Sequence, residues 1–294
     1  MKKLTLFLAA IISFSFALPP NNGGPGWEEL PKKKKKQFTK SYVYIPSGKL
    51  MLENEEEVTV QGFFMYKTEI TNLDYQEFVA HVEKSGDKEL LEKVRIKPDR
   101  WGDENLAKLY HTHPAYHTYP VVNVSHEAAM EYCKWLEGML AKTYEIDASK
   151  INVRLPVKEE WMYAAQGGHQ YAPYPWGGYY IRNAKGCYLA NFNRAIGEHS
   201  VTFNQESGEY EVVNITSLSG RMYTAPAESY HPNDYGLYNM SGNAAEMIHE
   251  AGVAMGGSWN STGYDIRISS SATYETPTPY VGFRPVVTFL GDIN

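Results

Sequence analysis

GLYNMSGNAAEM, residues 236–247, gathers oxygen donors and turn formers into one short stretch. Asn239 offers a side-chain oxygen, Gly242 and Ala244 offer backbone oxygens, and Glu246 adds a negative charge. Ca²⁺ is a hard cation that takes six to eight oxygens and accepts backbone carbonyls beside a carboxylate. Glycine lets such a loop fold back on an ion. A tight turn is the competing reading, with Asn239, Asn243 and Glu246 bonding to the backbone.

Working outward, RLPVKEEWMYAAQGG (154–168) reads as a helix after Pro156, with Glu159 and Glu160 in the first turn, where the helix dipole favours carboxylates. Thr71 or Asn72 caps an earlier helix, with Tyr75, Phe78, Val79 and Val82 on one stripe. Ser125 caps another, whose Ala129, Tyr132, Cys133, Leu136, Met139 and Leu140 recur at three-to-four spacing. A short helix is expected around Lys88 to Val94. Tyr42, Tyr44, Val58 and Val60 alternate with their neighbours as strands do. After Gly168 the chain is rich in turns. The pattern predicts an α+β domain with few helices and much irregular structure, spanning 41–294 without an internal boundary.

These strings, in this order, resemble the sulfatase-modifying-factor family of formylglycine-generating-enzyme-like domains. MYKTEITNLDY (65–75), HPAYHTYPVVNVS (113–125), GGSW (256–259) and VGFR (281–284) carry the resemblance with the two stretches above. HPAYHTYPVV is also similar to members associated with bacterial gliding motility and type IX secretion. The resemblance implies an irregular C-type-lectin-like fold, and structural calcium at the positions matching Asn239, Gly242, Ala244 and Glu246. A second calcium site of the family would use Asn191 and the Phe192 carbonyl. Its acidic ligand falls near Ser219, which has no charge, so that site is not expected to persist.

Enzymes of the family oxidise a substrate cysteine with copper held by two cysteines between the GGSW-like and GFR-like strings. Here that interval, 260–281, has no cysteine, and Ser269, Ser270 and Ser271 lie roughly where the thiols would be. Cu(I) is soft and selects thiolates. Copper is therefore not expected, and no catalytic residue is assigned. His111, His113 and His117 cluster without a nearby cysteine or carboxylate ligand, so they are read as structural. Val157 stands where the family has a capping hydroxyl, Ala245 where it has a tryptophan, and Met255 where it often has an arginine. Arg267 and Arg284 are expected to make structural ion pairs.

Residues 1–17 read as a cleaved signal peptide, with Lys2 and Lys3 before a short apolar run and Ser15-Phe16-Ala17 as the cleavage site. No cysteine follows the run, so no lipid anchor is expected, and no later segment is long and apolar enough to cross a membrane. A periplasmic or secreted location follows. Residues 18–40, LPPNNGGPGWEELPKKKKKQFTK, read as a flexible Pro/Gly/Lys-rich arm on which Trp27 alone could dock. Loss of Lys2 and Lys3 takes the formal charge from −6 to −8, which argues against nucleic-acid binding. Hydrophobic content of 43% supports a real core, and 23 tyrosines suit a loop-heavy fold whose hydroxyls find partners. Cys133 and Cys187 could be paired or free.

The sequence thus points to an exported, non-catalytic binding or scaffold module of the cell envelope, with another envelope or secreted protein, or a glycan, as partner. Loops around 97–118 and 260–280 are the expected contact surface. The alternative is a formylglycine-generating-type or other metal- and oxygen-dependent oxidoreductase with atypical ligands.

Overall fold

The computed structural model describes residues 25–52, 55–96, 101, 104–193, 201–205, 208–212 and 223–290. The expected signal peptide (1–17), residues 18–24 of the expected arm, and Ser219 lie outside the described residues. Two short helices come first, α1 (Pro25–Glu28) and α2 (Lys32–Phe38). Four strands follow, β1 (Tyr42–Ile45), β2 (Gly48–Met51), β3 (Glu57–Val60) and β4 (Phe63–Tyr66). Then come α3 (Asn72–Ser85), α4 (Lys88–Val94), α5 (Glu104–Leu109) and α6 (His126–Tyr144), then β5 (Ile151–Arg154) and α7 (Lys158–Gln166). The remainder is strands: β6 (Val201–Asn204), β7 (Glu209–Val212), β8 (Ala245–Met247), β9 (Val253–Met255), β10 (Ser271–Thr273), β11 (Val281–Phe283) and β12 (Val286–Phe289).

The helices start where their caps dictate. The Thr71 hydroxyl accepts from the Asp74 N–H, and the Asp74 carboxylate accepts from the Thr71 N–H, a reciprocal pair that satisfies two end donors of α3. Ser125 caps α6 by accepting from the Ala128 N–H. α7 lacks the hydroxyl half of such a cap because its N-cap is Val157. Glu160 supplies the other half, accepting from the Val157 N–H at 3.0 Å while holding Arg154 at 2.7 Å through each carboxylate oxygen.

One sheet, in the order β1-β4-β12-β5 and antiparallel throughout, divides the core. Successive strand residues face opposite ways. In β4, Phe64 packs with Tyr75, Phe78, Tyr132 and Cys133 of α3 and α6. Its neighbours Phe63 and Met65 pack with Trp161, Met162 and Ala165 of α7 on the other side. A second small sheet, β10-β9-β8-β11, has β11 parallel to β8, which sets Gly282 beside Glu246.

The expectation of a flexible arm over 18–40 does not hold from Pro25 onward. Trp27 and Phe38 are 2% and 1% exposed, and their rings lie 4.5 and 5.1 Å from the Phe64 ring. Two buried aromatic side chains outweigh the weak local propensity of a Lys-rich heptad. The lysine run is divided: Lys34 binds the Tyr144 carbonyl and Glu145, and Lys35 pairs with Glu28. Lys32, Lys33 and Lys36 remain exposed.

The expected loop around 97–118 also contains α5 and a 3₁₀ turn over Pro114–Tyr116. Cys133 is buried and Cys187 exposed, and both are free thiols. Among the described residues no helix is long and apolar enough to cross a membrane.

Candidate functional site

The strings that stood out in the sequence meet at one buried carboxylate. Glu246, on β8, is 1% exposed, and Arg284, just after β11, is fully buried. Arg284 donates to Glu246 Oε1 from Nη2 at 2.6 Å, and its Nε lies 3.1 and 3.0 Å from Oε1 and Oε2. Trp161 of α7 donates from Nε1 to Oε2 at 2.8 Å. The other guanidinium donors go to the carbonyls of Tyr66, Lys67 and Tyr238. The first glycine of GGSW leaves room for the Trp161 ring: a Cβ on Gly256 would come within 2.9 Å of it. Arg284 makes the structural ion pair expected of it. Arg267 instead lies 4.2 Å over the Tyr264 ring.

A second carboxylate, Glu69, completes the cluster from the turn between β4 and α3. It accepts from Asn243 Nδ2 at 2.8 Å and from Asn239 Nδ2 at 3.3 Å, and Arg284 Nη2 is 4.0 Å away. One guanidinium thus faces two buried carboxylates. Burial pushes the Glu69 carboxyl up to about 7; Arg284 opposes the rise and the nearby Glu246 reinforces it.

The loop between Asn239 and Glu246 is a chain of left-handed residues. Asn239, Gly242 and Asn243 have φ of 52°, 77° and 64°. Asparagine and glycine tolerate this region best. A Cβ at Gly242 would stand 2.2 Å from the Asn191 carbonyl oxygen, so this approach is open only to glycine. Asn243 Oδ1 accepts from the Ala225 N–H at 2.7 Å and from Asn191 Nδ2 at 3.2 Å. Asn239 also donates to the Ala227 carbonyl.

Asn239, Gly242, Ala244 and Glu246 are therefore brought together on one buried loop. Of the four, the charged ligand is already engaged as arranged. Both Glu246 oxygens already accept from Arg284 or Trp161, and a buried guanidinium beside the carboxylate would repel a divalent cation. Removing the guanidinium from its three carbonyls would strand buried acceptors. Where the family has its second calcium site, Asn191 donates to the Tyr223 carbonyl, and its Oδ1 is buried with no hydrogen-bond partner.

The remaining expected residues are dispersed. His111 is buried against Asn72 and Trp101, while His113 accepts from the Ala115 N–H. Ser269 and Ser270 are half-buried and Ser271 is exposed. Sequence reading missed Glu69, which the spacing of GLYNMSGNAAEM could not reveal. Its one signal was an acid followed by Ile70 in the short polar turn KTE (67–69) that leaves the apolar strand FFMY (63–66).

Two outcomes follow from this arrangement. Chelation should leave the melting temperature unchanged, whereas Arg284→Met should cost about 3–5 kcal/mol by leaving a buried acid unpaired. Retained calcium and a chelator-sensitive melting temperature would instead give Glu246 to the ion. Glu69 binds its proton up to about pH 7 when folded, but near its ordinary 4.5 when unfolded. Its contribution to stability is therefore full below about 4.5 and is lost as pH rises through about 7. Glu69→Gln should flatten that decline in urea unfolding measured across this window; an unchanged slope would contradict the assignment.

Residues 28–289 match the sulfatase-modifying factor enzyme 1-like domain. Formylglycine-generating enzyme of Mus musculus is 29% identical over 251 residues, covering 76% of this chain and 55% of that protein. Inactive C-alpha-formylglycine-generating enzyme 2 of Bos taurus is 25% identical over 268 residues, covering 76% and 78%. The chain spans about half the length of the mouse and bovine formylglycine-generating enzymes it matches, 55% and 50%. Among solved structures, CarF superposes with a TM-score of 0.56 at 19% identity, over 85% of this chain and 98% of that one. PvdO from Pseudomonas aeruginosa gives 0.53 at 18%, over 84% and 94%. These two similarities speak for the fold alone. The match over 28–289 makes this chain a member of the sulfatase-modifying-factor, formylglycine-generating-enzyme-like family.

Proposed function

We propose that the chain is an exported, non-catalytic member of this family, acting as a binding or scaffold module. The observation that carries the reading is the cysteine-free interval 260–281, with Ser269, Ser270 and Ser271 in place of soft ligands. The two thiols in the chain do not substitute. Cys133 packs beneath the central sheet, where burial pushes its thiol well above the ordinary range, and thiolate is the form that binds metal. Cys187 sits on another loop, its N–H bonded to Asn183 Oδ1. Among the described residues no three His, Cys, Asp or Glu side chains are grouped to hold a metal. The inactive bovine relative, matched over most of both chains, is a precedent for the fold without the reaction.

The contact surface in this reading includes exposed aromatics on two adjoining loops. Tyr179 and Tyr180 are 78% and 82% exposed, and Tyr264 is 65% exposed. The loops touch, since Tyr174 donates to the Gly263 carbonyl and a Cβ on Gly263 would meet Ile181 at 3.4 Å. Flat exposed rings on a rigid frame suit an envelope protein or a glycan. Calcium at Asn239, Gly242, Ala244 and Glu246 enters only as a competitor of Arg284 for the Glu246 carboxylate.

Purified protein, supplied with copper and oxygen, is expected to leave the cysteine of a sulfatase-type peptide unconverted by mass spectrometry. Turnover to formylglycine would overturn the proposal and require ligands outside the 260–281 interval.

A further inference from the structure

A cavity of about 490 Å³ opens between α3, the turn after α4, and α5. It belongs neither to the Glu246 cluster nor to the tyrosine loops. Val79, Ala80, Ile96 and Ala107 make its walls apolar, and its volume is in the range of small-molecule pockets. Among the described residues two cations, Arg95 and Lys108, line it against one acid, Glu83. Neither cation is strongly committed elsewhere. Arg95 reaches Glu92, and Lys108 reaches Glu104, only at 4.0 Å and between exposed side chains. Such pairs contribute little and are readily exchanged.

The side of the cavity formed by His111 is rigid and uncharged. Asn72 donates both amide hydrogens to the Tyr110 and Tyr116 carbonyls, each at 3.0 Å, which turns its Oδ1 toward His111 Nδ1 at 3.1 Å. Nδ1 therefore carries the ring proton, and Nε2 is free to accept from Trp101 Nε1. Burial pushes the imidazole down to about 3, so it stays neutral at physiological pH. Gln76 donates to the His111 carbonyl and ties this side to α3. A preformed apolar cavity whose surplus of charge among the described residues is positive selects an amphiphile with one negative end.

We propose that this cavity binds a small apolar-chain carboxylate, with the chain against Val79, Ala80, Ile96 and Ala107 and the carboxylate held by Arg95 and Lys108. The test uses dodecanoate and uncharged 1-dodecanol, below their aggregation limits, in calorimetric titration of the full chain. Dodecanoate should bind at one per chain. Arg95→Gln with Lys108→Gln should weaken dodecanoate by about tenfold or more, the scale of a charge-assisted contact, without weakening dodecanol. Ala80→Phe, checked for an unchanged melting temperature, should abolish dodecanoate binding. If that variant does not fold, Ala107→Leu fills the opposite wall and should have the same effect. Absence of dodecanoate binding, equal loss for both probes in the double variant, or full affinity in a folded cavity-filled variant would each overturn the proposal.

Discussion

The fold turns on one buried guanidinium. Arg284 holds Glu246 through Nε and Nη2 and the carbonyls of Tyr66, Lys67 and Tyr238 through Nη1 and Nη2, and it is fully buried. A buried ion pair is stable only when its remaining hydrogen-bonding capacity is filled, and here it is. The elements joined are far apart in the chain: β8, the end of β11, the turn after β4, and α7 through Trp161. Glu69 makes the cluster asymmetric. Two carboxylates share one cation, and the excess is handled by raising Glu69 and by amide donors from Asn239 and Asn243.

The sequence strings that carry the resemblance lean on one another. Gly256 clears space for Trp161, Gly242 admits the Asn191 carbonyl, Glu246 receives both Trp161 and Arg284, and Gly282 runs close beneath the Val121 carbonyl. The strings around Glu69, Trp161, Glu246, Gly256 and Arg284 meet in a single cluster. The chemistry of the catalytic relatives is not needed to hold it. No contact described here involves a thiol in the 260–281 interval, so the cluster stands without one.

Much of the architecture was legible because local signals were strong. The Thr71 and Ser125 caps and the stripe Tyr75, Phe78, Val82 gave α3 and α6 directly. Trp27 could be seen as a docking residue, but Phe38 and the two helices could not, because a heptad of five lysines has no apolar period and its docking rests on contacts with Phe64 and Phe289. α5 was missed for a similar reason, being six residues long with Leu106 its buried residue. At the site, the oxygen-rich loop and Arg284 as an ion-pair former were visible, but not that Glu246 is the partner of Arg284. Asn239 and Asn243 are there for left-handed backbone and for their amide donors, and the partner of Glu246 lies 38 residues downstream. Donor count along a sequence cannot reveal a cation arriving from another strand.

Native-state hydrogen exchange across 239–247 tests this account most directly. The amides of Gly242, Asn243 and Ala245 donate to the carbonyls of Gly256, Asn191 and Tyr280. If the Arg284 cluster pins the loop, these amides should exchange only through global opening, with a free energy equal to that of unfolding. Exchange of this loop through a separate, lower-energy opening would show that the buried pair does not hold the fold together.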